Sequence, residues 1–200
     1  MLVCRRASFV RWRDSRSCGT LSDFSKTPTY RTGYVSSYAI PAWPMTRRQM
    51  GRFDPKDANF EARVRTSFAR QTAMATLGIE IAGLKAGEVE LRMPYAAAFA
   101  QQHGFVHAGI ITTALDTACG YAAFSLMPDD AAVLTVEFKT NLIAPARGDY
   151  FLFRACVLKP GRTITVCDAQ AFAAEEGREK LVATMTGTLI ALFGREGIAH

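Results

Sequence analysis

The stretch from Gln101 to Ala123, QQHGFVHAGIITTALDTACGYAA, constrains this chain more than any other. A polar, glycine-containing lead-in runs into a long segment without proline. From Ala108 the apolar residues recur at helical spacing. Ile110, Ala114 and Tyr121 form one row, with Ile111, Leu115, Ala118 and Ala122 beside it. The other side is a stripe of Gly109, Thr112, Thr113, Asp116, Cys119, Gly120 and Ala123. It is small and mostly uncharged, with one carboxylate in its middle. Two glycines weaken a helix. A stripe this thin implies that something packs closely against it.

Gly109 and Asp116 are seven residues apart, so they share a face but stand roughly 10 Å apart along the axis. The backbone N–H groups of Ala108, Gly109 and Ile110 open the helix without an intrahelical partner. They can polarise a carbonyl or hold an anion. A thioester or ester hydrolase needs such donors within about 3 Å of the carbonyl oxygen. It also needs a base or nucleophile within hydrogen-bond reach of the reacting atoms. Asp116 cannot serve a carbonyl bound at its own helix start. If both take part, they come from different copies of the helix, and the expectation is a homodimer with composite sites. The plainer reading makes Asp116 an exposed helix carboxylate and the glycines packing spacers.

His107-Ala108-Gly109, then six residues, then Asp116-Thr117, resembles the His-Gly-Gly…Asp signature of hotdog-fold acyl-CoA thioesterases of the PaaI type. Gln101 lies six before His107, where that family carries Asn or Gln. Val133 to Ala146, VLTVEFKTNLIAPA, resembles its long central strand and closing Pro-Ala. The resemblance spans about Phe60 to Phe193. It implies an α+β hotdog fold, an antiparallel sheet wrapped around one long central helix. It also implies subunits paired edge to edge, and commonly a tetramer of two such dimers.

The resemblance further implies a set of roles. Asp116 is the base that activates water, or the nucleophile that forms an anhydride. Ala108 stands at the first Gly, whose backbone N–H forms the oxyanion hole, and Gly109 at the second. The donor is backbone, so Ala need not abolish it, but the methyl is a departure that would crowd the thioester or forbid a φ > 0 conformation. His107 is an orienting or structural histidine. Gln101 holds the thioester carbonyl or the attacking water with its amide, and Thr135 orients water. Coenzyme A carries phosphates, so cations are expected at the mouth of its site. Arg147, Lys139 and Arg162, with Lys159, are the candidates, each also readable as a solvated surface charge. CoA is part of the substrate, and no separate cofactor is expected.

The charge of the chain is uneven. Residues 1–52 hold ten Lys and Arg against two acids, a net +8. The other 148 hold fourteen against sixteen, a net −2. The overall +6 therefore belongs to the first quarter of the chain. Residues 53–200 show no basic stripe with interleaved aromatics, which argues against a specific nucleic-acid partner. No apolar run approaches the roughly 18 residues of a membrane span, so a soluble protein is expected. The five cysteines include no Cys-x-x-Cys, and the chain has only three histidines, so no metal site is expected. Cys119 lies one turn after Asp116 and invites a reading as nucleophile. A small packing residue explains it as well.

Two parts follow: a basic extension over residues 1–52, expected to be disordered, and a domain over 53–200. The extension is rich in Arg, Ser and Thr and poor in acids, like a mitochondrial transit peptide. It equally resembles upstream sequence ahead of a later start at Met45 or Met50. The location expected is cytoplasmic, or mitochondrial if the extension is a transit peptide. In the domain, a first helix is expected from Asp54, with Pro55 at its first position, to Gly78. Strands are expected at Ile79–Ala82 and Glu88–Tyr95, the central helix at Ala108–Leu126, and strands around Leu134–Phe138, Tyr150–Lys159, Thr163–Ala174 and Lys180–Phe193. Short turns between these strands predict an antiparallel meander.

Three functions compete. The leading reading is hydrolysis of a fatty-acyl or aryl-acyl CoA thioester. A hotdog dehydratase or hydratase would pair His with Asp or Glu in another motif context. A non-catalytic acyl-CoA-binding regulatory module would need no Asp at position 116.

Overall fold

A computed structural model describes residues 53–194, so the expectation for residues 1–52 lies outside the described part. Helices α1 (Phe60–Ala69) and α2 (Thr72–Leu77) precede strands β1 (Glu80–Lys85) and β2 (Glu88–Pro94). The long helix α3 (Ala108–Phe124) follows, then β3 (Ala131–Leu142), β4 (Tyr150–Lys159), β5 (Ile164–Glu175) and β6 (Arg178–Phe193).

The six strands form one sheet in the order β1-β2-β4-β5-β6-β3, and every neighbouring pair is antiparallel. Only β4, β5 and β6 make the expected meander. β3 skips to the far edge and pairs with β6 through Ala131↔Phe193 to Leu142↔Ala183. The reason is α3, which joins β2 near one edge to β3 at the other. To make that connection the helix crosses the inner face of the sheet, where it packs on β2, β3, β4, β5 and β6. This is the hotdog arrangement of an antiparallel sheet wrapped around one central helix.

Strand alternation supplies the inner face. Val89, Leu91 and Met93 of β2 are buried, while Glu88, Glu90 and Arg92 face outward. In β5 the buried residues are Thr165, Cys167, Ala169, Ala171, Ala173 and Ala174. Small residues let the helix approach closely. At Gly187 an added Cβ would already touch Cys119, 3.5 Å from its Cβ and 3.6 Å from its sulfur. Ile111, Leu115, Ala118 and Phe124 meet Phe151, Phe153, Met185 and Leu189 in one continuous core. On the outer face, Arg154 forks onto Glu179 at 2.6 and 2.8 Å and reaches Glu90 at 2.5 Å.

The expected single helix from Asp54 to Gly78 is two helices, and it starts later. The Asp57 carboxylate accepts the Asn59 N–H at 2.8 Å, a turn that competes with helix, so α1 begins at Phe60. Gln71 is extended at φ −79°, ψ 96° and separates α1 from α2. Gly78 ends α2 in the left-handed region at φ 64°, as expected.

The C-terminal end of α3 is tied down twice. Arg63 donates to the Phe124 carbonyl at 3.3 Å and the Met127 carbonyl at 2.7 Å, and its guanidinium stacks on the Phe124 ring. The Asp57 carboxylate holds Arg63 in place at 2.8 Å. Ser125, fully buried, donates to the Ala122 carbonyl and accepts the Gly87 N–H, both at 2.7 Å. That bond fixes the β1–β2 hairpin to the helix. Among the described residues no helix is long and apolar enough to cross a membrane.

Candidate active site

α3 begins at a crowded junction. The His107 N–H donates to the Phe99 carbonyl at 2.8 Å, and the Val106 N–H to the Ala146 carbonyl at 2.9 Å. The helix start is thereby fixed between the loop after β2 and the loop after β3. His107 is the N-cap, and its Nδ1 accepts the Gly109 N–H at 3.0 Å. Because Nδ1 accepts, the proton of the neutral ring sits on Nε2. The His107 carbonyl takes the Ile110 N–H at 2.9 Å. Of the three N–H groups expected to be open, two are therefore engaged. That of Ala108 has no partner among the described residues. Ala108 does not have positive φ, so the backbone that Gly would permit is not needed here.

Gln101 lies in the preceding loop, closed by Gln101 N–H to Phe105 O and Gly104 N–H to Gln101 O, both 2.8 Å. Its side-chain oxygen accepts the His103 N–H at 3.2 Å. A backbone donor selects the oxygen of the amide, so the NH₂ end is left to donate. Gln101, His107 and Ala108 line one cavity of about 560 Å³ with Phe105, Ile111, Leu142 and Val182. No charged side chain lines it. His103 stays exposed in the loop, beside Gln102.

Asp116 is elsewhere. It is half-buried, two turns along the helix, and Thr135 donates to its Oδ1 at 2.7 Å. Burial raises the Asp116 carboxyl above its ordinary value, and the Thr135 bond opposes this in part. The structure thus makes two groups: Gln101, His107 and Ala108 at the cavity, and Asp116 with Thr135 away from its walls. From Ala108 to Asp116 is eight residues, or about 12 Å of helix. One copy of the chain does not bring the carboxylate to its own helix start.

The small stripe of α3 divides accordingly. Cys119 and Ala123 are buried in the chain's own core, whereas Gly109, Thr112, Thr113, Asp116 and Gly120 remain at least partly open. Beside this open part runs β3, an edge strand whose outer margin has no partner strand among the described residues. Its Val136 is 56% exposed, Phe138 45% and Leu142 60%. The stripe and the edge form one uncovered surface.

The cationic candidates are scattered. Arg147 is exposed and follows Ala146 on the cavity wall. Lys139 faces away from α3 and donates to Asn141, whose amide in turn meets Thr184. Arg162 is exposed in the β4–β5 turn, where Thr163 accepts the Ala191 N–H. Ala191 pairs with Val133, at the opposite end of β3 from Leu142 and the cavity. Of these three, Arg147 is the one beside the cavity. Cys119 is fully buried and its thiol is pushed well above its usual range by burial, an environment for packing and not for a thiolate nucleophile. Nothing in the sequence marks Phe105, Leu142 or Val182 as cavity residues.

Comparison with known proteins bears on this geometry. The pattern of the thioesterase superfamily matches residues 103–180, from the loop before α3 into β6. The chain is 32% identical over 124 residues to a candidate esterase of Halobacterium salinarum, covering 60% of this chain and 80% of that protein. A solved structure of a thioesterase family protein from Silicibacter pomeroyi is 61% identical, with a TM-score of 0.67, over 68% of this chain and 99% of that one. The Escherichia coli PaaI protein from the phenylacetic acid degradation operon shares the fold, at 22% identity and a TM-score of 0.62 over 68% and 95% of the two chains. A sheet wrapped on one helix, a capped helix start beside a cavity, and these likenesses agree, and the chain belongs to the thioesterase superfamily, with the hotdog fold that it shares with the PaaI protein.

Proposed function

We propose that this thioester hydrolase acts on acyl-CoA, releasing a free fatty or aryl acid and CoA, in a site built by two copies of the chain. The observation that carries the reading is the separation of an unpartnered N–H at Ala108, beside an uncharged cavity, from a half-buried Asp116 about 12 Å along the same helix. In this reading the Ala108 N–H and the Gln101 NH₂ hold the thioester oxygen as negative charge develops on it. Asp116 of the other copy, steadied by Thr135, activates water or attacks the carbonyl itself. The elevated pKa makes its carboxylate a stronger base than an exposed one.

The open margin of β3 supplies the way to bring the groups together. Two such margins paired antiparallel about a two-fold near Phe138 would set Thr135 of one strand opposite the Leu142 end of the other. Each cavity would then face the partner's carboxylate. Gly109, Thr113 and Gly120 would be covered in the same step, together with the exposed apolar side chains of β3. Arg147 is the favoured contact for the CoA phosphates. The reaction needs no metal or redox cofactor in this scheme, and a cytoplasmic location suits a CoA ester.

The test is thiol release from short, medium, long and aromatic acyl-CoAs by wild type and Asp116→Asn. Turnover that falls a hundredfold or more in the variant, with acyl-CoA binding retained, is the expected result. Unchanged turnover would move the chemistry to another residue. Tight binding with no turnover across the panel would favour a regulatory acyl-CoA-binding module.

A further inference from the structure

We infer that Ala108 is a specificity-determining residue, whose methyl group restricts the site to acyl thioesters that are unbranched at the carbon next to the carbonyl. This rests on the thioesterase reading above and adds to it the shape of the acyl group accepted. Three observations combine. The Ala108 N–H is the one donor at the start of α3 left open, since His107 engages those of Gly109 and Ile110 through Nδ1 and its carbonyl. Ala108 has helical backbone and lines the cavity. Ile111, one turn later and fully buried, closes the wall behind it.

The direction of the methyl then follows from helix geometry. In an α-helix each Cα–Cβ bond tilts toward the N-terminus. The Ala108 methyl therefore leans into the space in front of the helix start, where a carbonyl accepting its N–H must sit. Standard bond lengths place a Cβ within about 2.5 Å of its own nitrogen, and an accepted oxygen lies about 2.9 Å from that nitrogen. The carbonyl carbon and its substituents are thus in van der Waals contact with the methyl. A CH₂ next to the carbonyl can turn its hydrogens toward Ala108. A branched carbon has a single hydrogen to turn toward Ala108, which leaves it one orientation and sends both substituents toward the facing side of the cavity. Close-packed walls make one added methyl cost about tenfold or more in rate.

The deciding experiment compares kcat/KM for butyryl-CoA and isobutyryl-CoA, which have the same number of carbons. The enzymes are wild type, Ala108→Gly and Ala108→Ser, with folding followed by thermal melting. Wild type is expected to favour butyryl-CoA by about tenfold or more. Ala108→Gly should bring the ratio to within about threefold of one, and Ala108→Ser, which adds an atom in the same place, should widen it. A wild type that hydrolyses both esters equally, or a ratio unmoved by either substitution, overturns the inference while leaving the thioesterase reading intact. If glycine at the helix start prevents folding, the serine variant decides alone. Absence of turnover of any acyl-CoA by wild type removes the thioesterase reading and this inference with it.

Discussion

Thr135 on β3 donates to one oxygen of Asp116 on α3 at 2.7 Å and has the smaller of two opposing effects on that carboxyl. Burial raises it, and the Thr135 hydroxyl, by bonding the ionised form, lowers it. Replacing Thr135 with Val removes only the second influence. The acid limb of kcat/KM should move to higher pH, and activity at neutral pH should fall about tenfold, the worth of one hydrogen bond to a charge. Thr135→Ser should restore both. A pH profile that stays put in Thr135→Val would mean that Asp116 does not govern the limb.

The same burial has a consequence for stability. Asp116 has a folded-state pKa above its unfolded value. Its contribution is therefore fully present below the unfolded pKa and is lost as pH rises through the folded one. At neutral pH the ionised group weighs against folding. Asp116→Asn should melt higher than wild type near pH 7, and the two should converge in acid below the ordinary value of 3.8. A variant that melts lower at pH 7 would contradict the assignment of burial as the dominant influence.

If the site is shared between copies, damage can be complemented. Asp116→Asn and Gln101→Ala should each be nearly inactive alone. Mixed and allowed to exchange subunits, half of the dimers carry both lesions, and each of these has one site with an intact Asp116 and an intact Gln101. About a quarter of wild-type activity should return. No recovery in a mixture shown to exchange would place both groups of a site in one chain.

Ser125 is a test of the scaffold away from the chemistry. Ser125→Ala leaves the Gly87 N–H buried without an acceptor, so denaturant unfolding should report a loss of about 1–3 kcal/mol. The β1–β2 hairpin should show the largest gain in amide exchange. A loss below about 0.5 kcal/mol would show that water replaces the hydroxyl there.

Much of the fold could be read from the chain before its structure. The small stripe and the apolar rows of Ile111, Leu115 and Ala118 define α3 to within two residues of its observed end, because helical period and burial agree there. β4 matches its expected bounds for a similar reason: Pro160 and Gly148 punctuate it. The neighbours of β3 were not legible. Alternation tells which face of a strand is buried, not which strand lies beside it, and only the path of α3 across the sheet decides that. The break at Gln71 had no Gly or Pro to mark it. In the site, Asp116 and the helix start were visible by spacing, and their separation along the axis was calculable. The Nδ1 cap of His107, which leaves a single open donor at Ala108, depends on a ring orientation that no spacing encodes.

The two margins of the sheet are unlike. β1 offers 6 residues and β3 offers 12, each with one break in register, between Ile81 and Gly83 and between Thr135 and Glu137. Adding a strand to the short margin gains little, and adding one to the long margin gains much. Joining two long margins uses up both of them, and what remains outward on either side is the margin with little to offer. A molecule made this way carries its own limit to growth: it can close into a pair, where a sheet adhesive on both sides would extend into a filament.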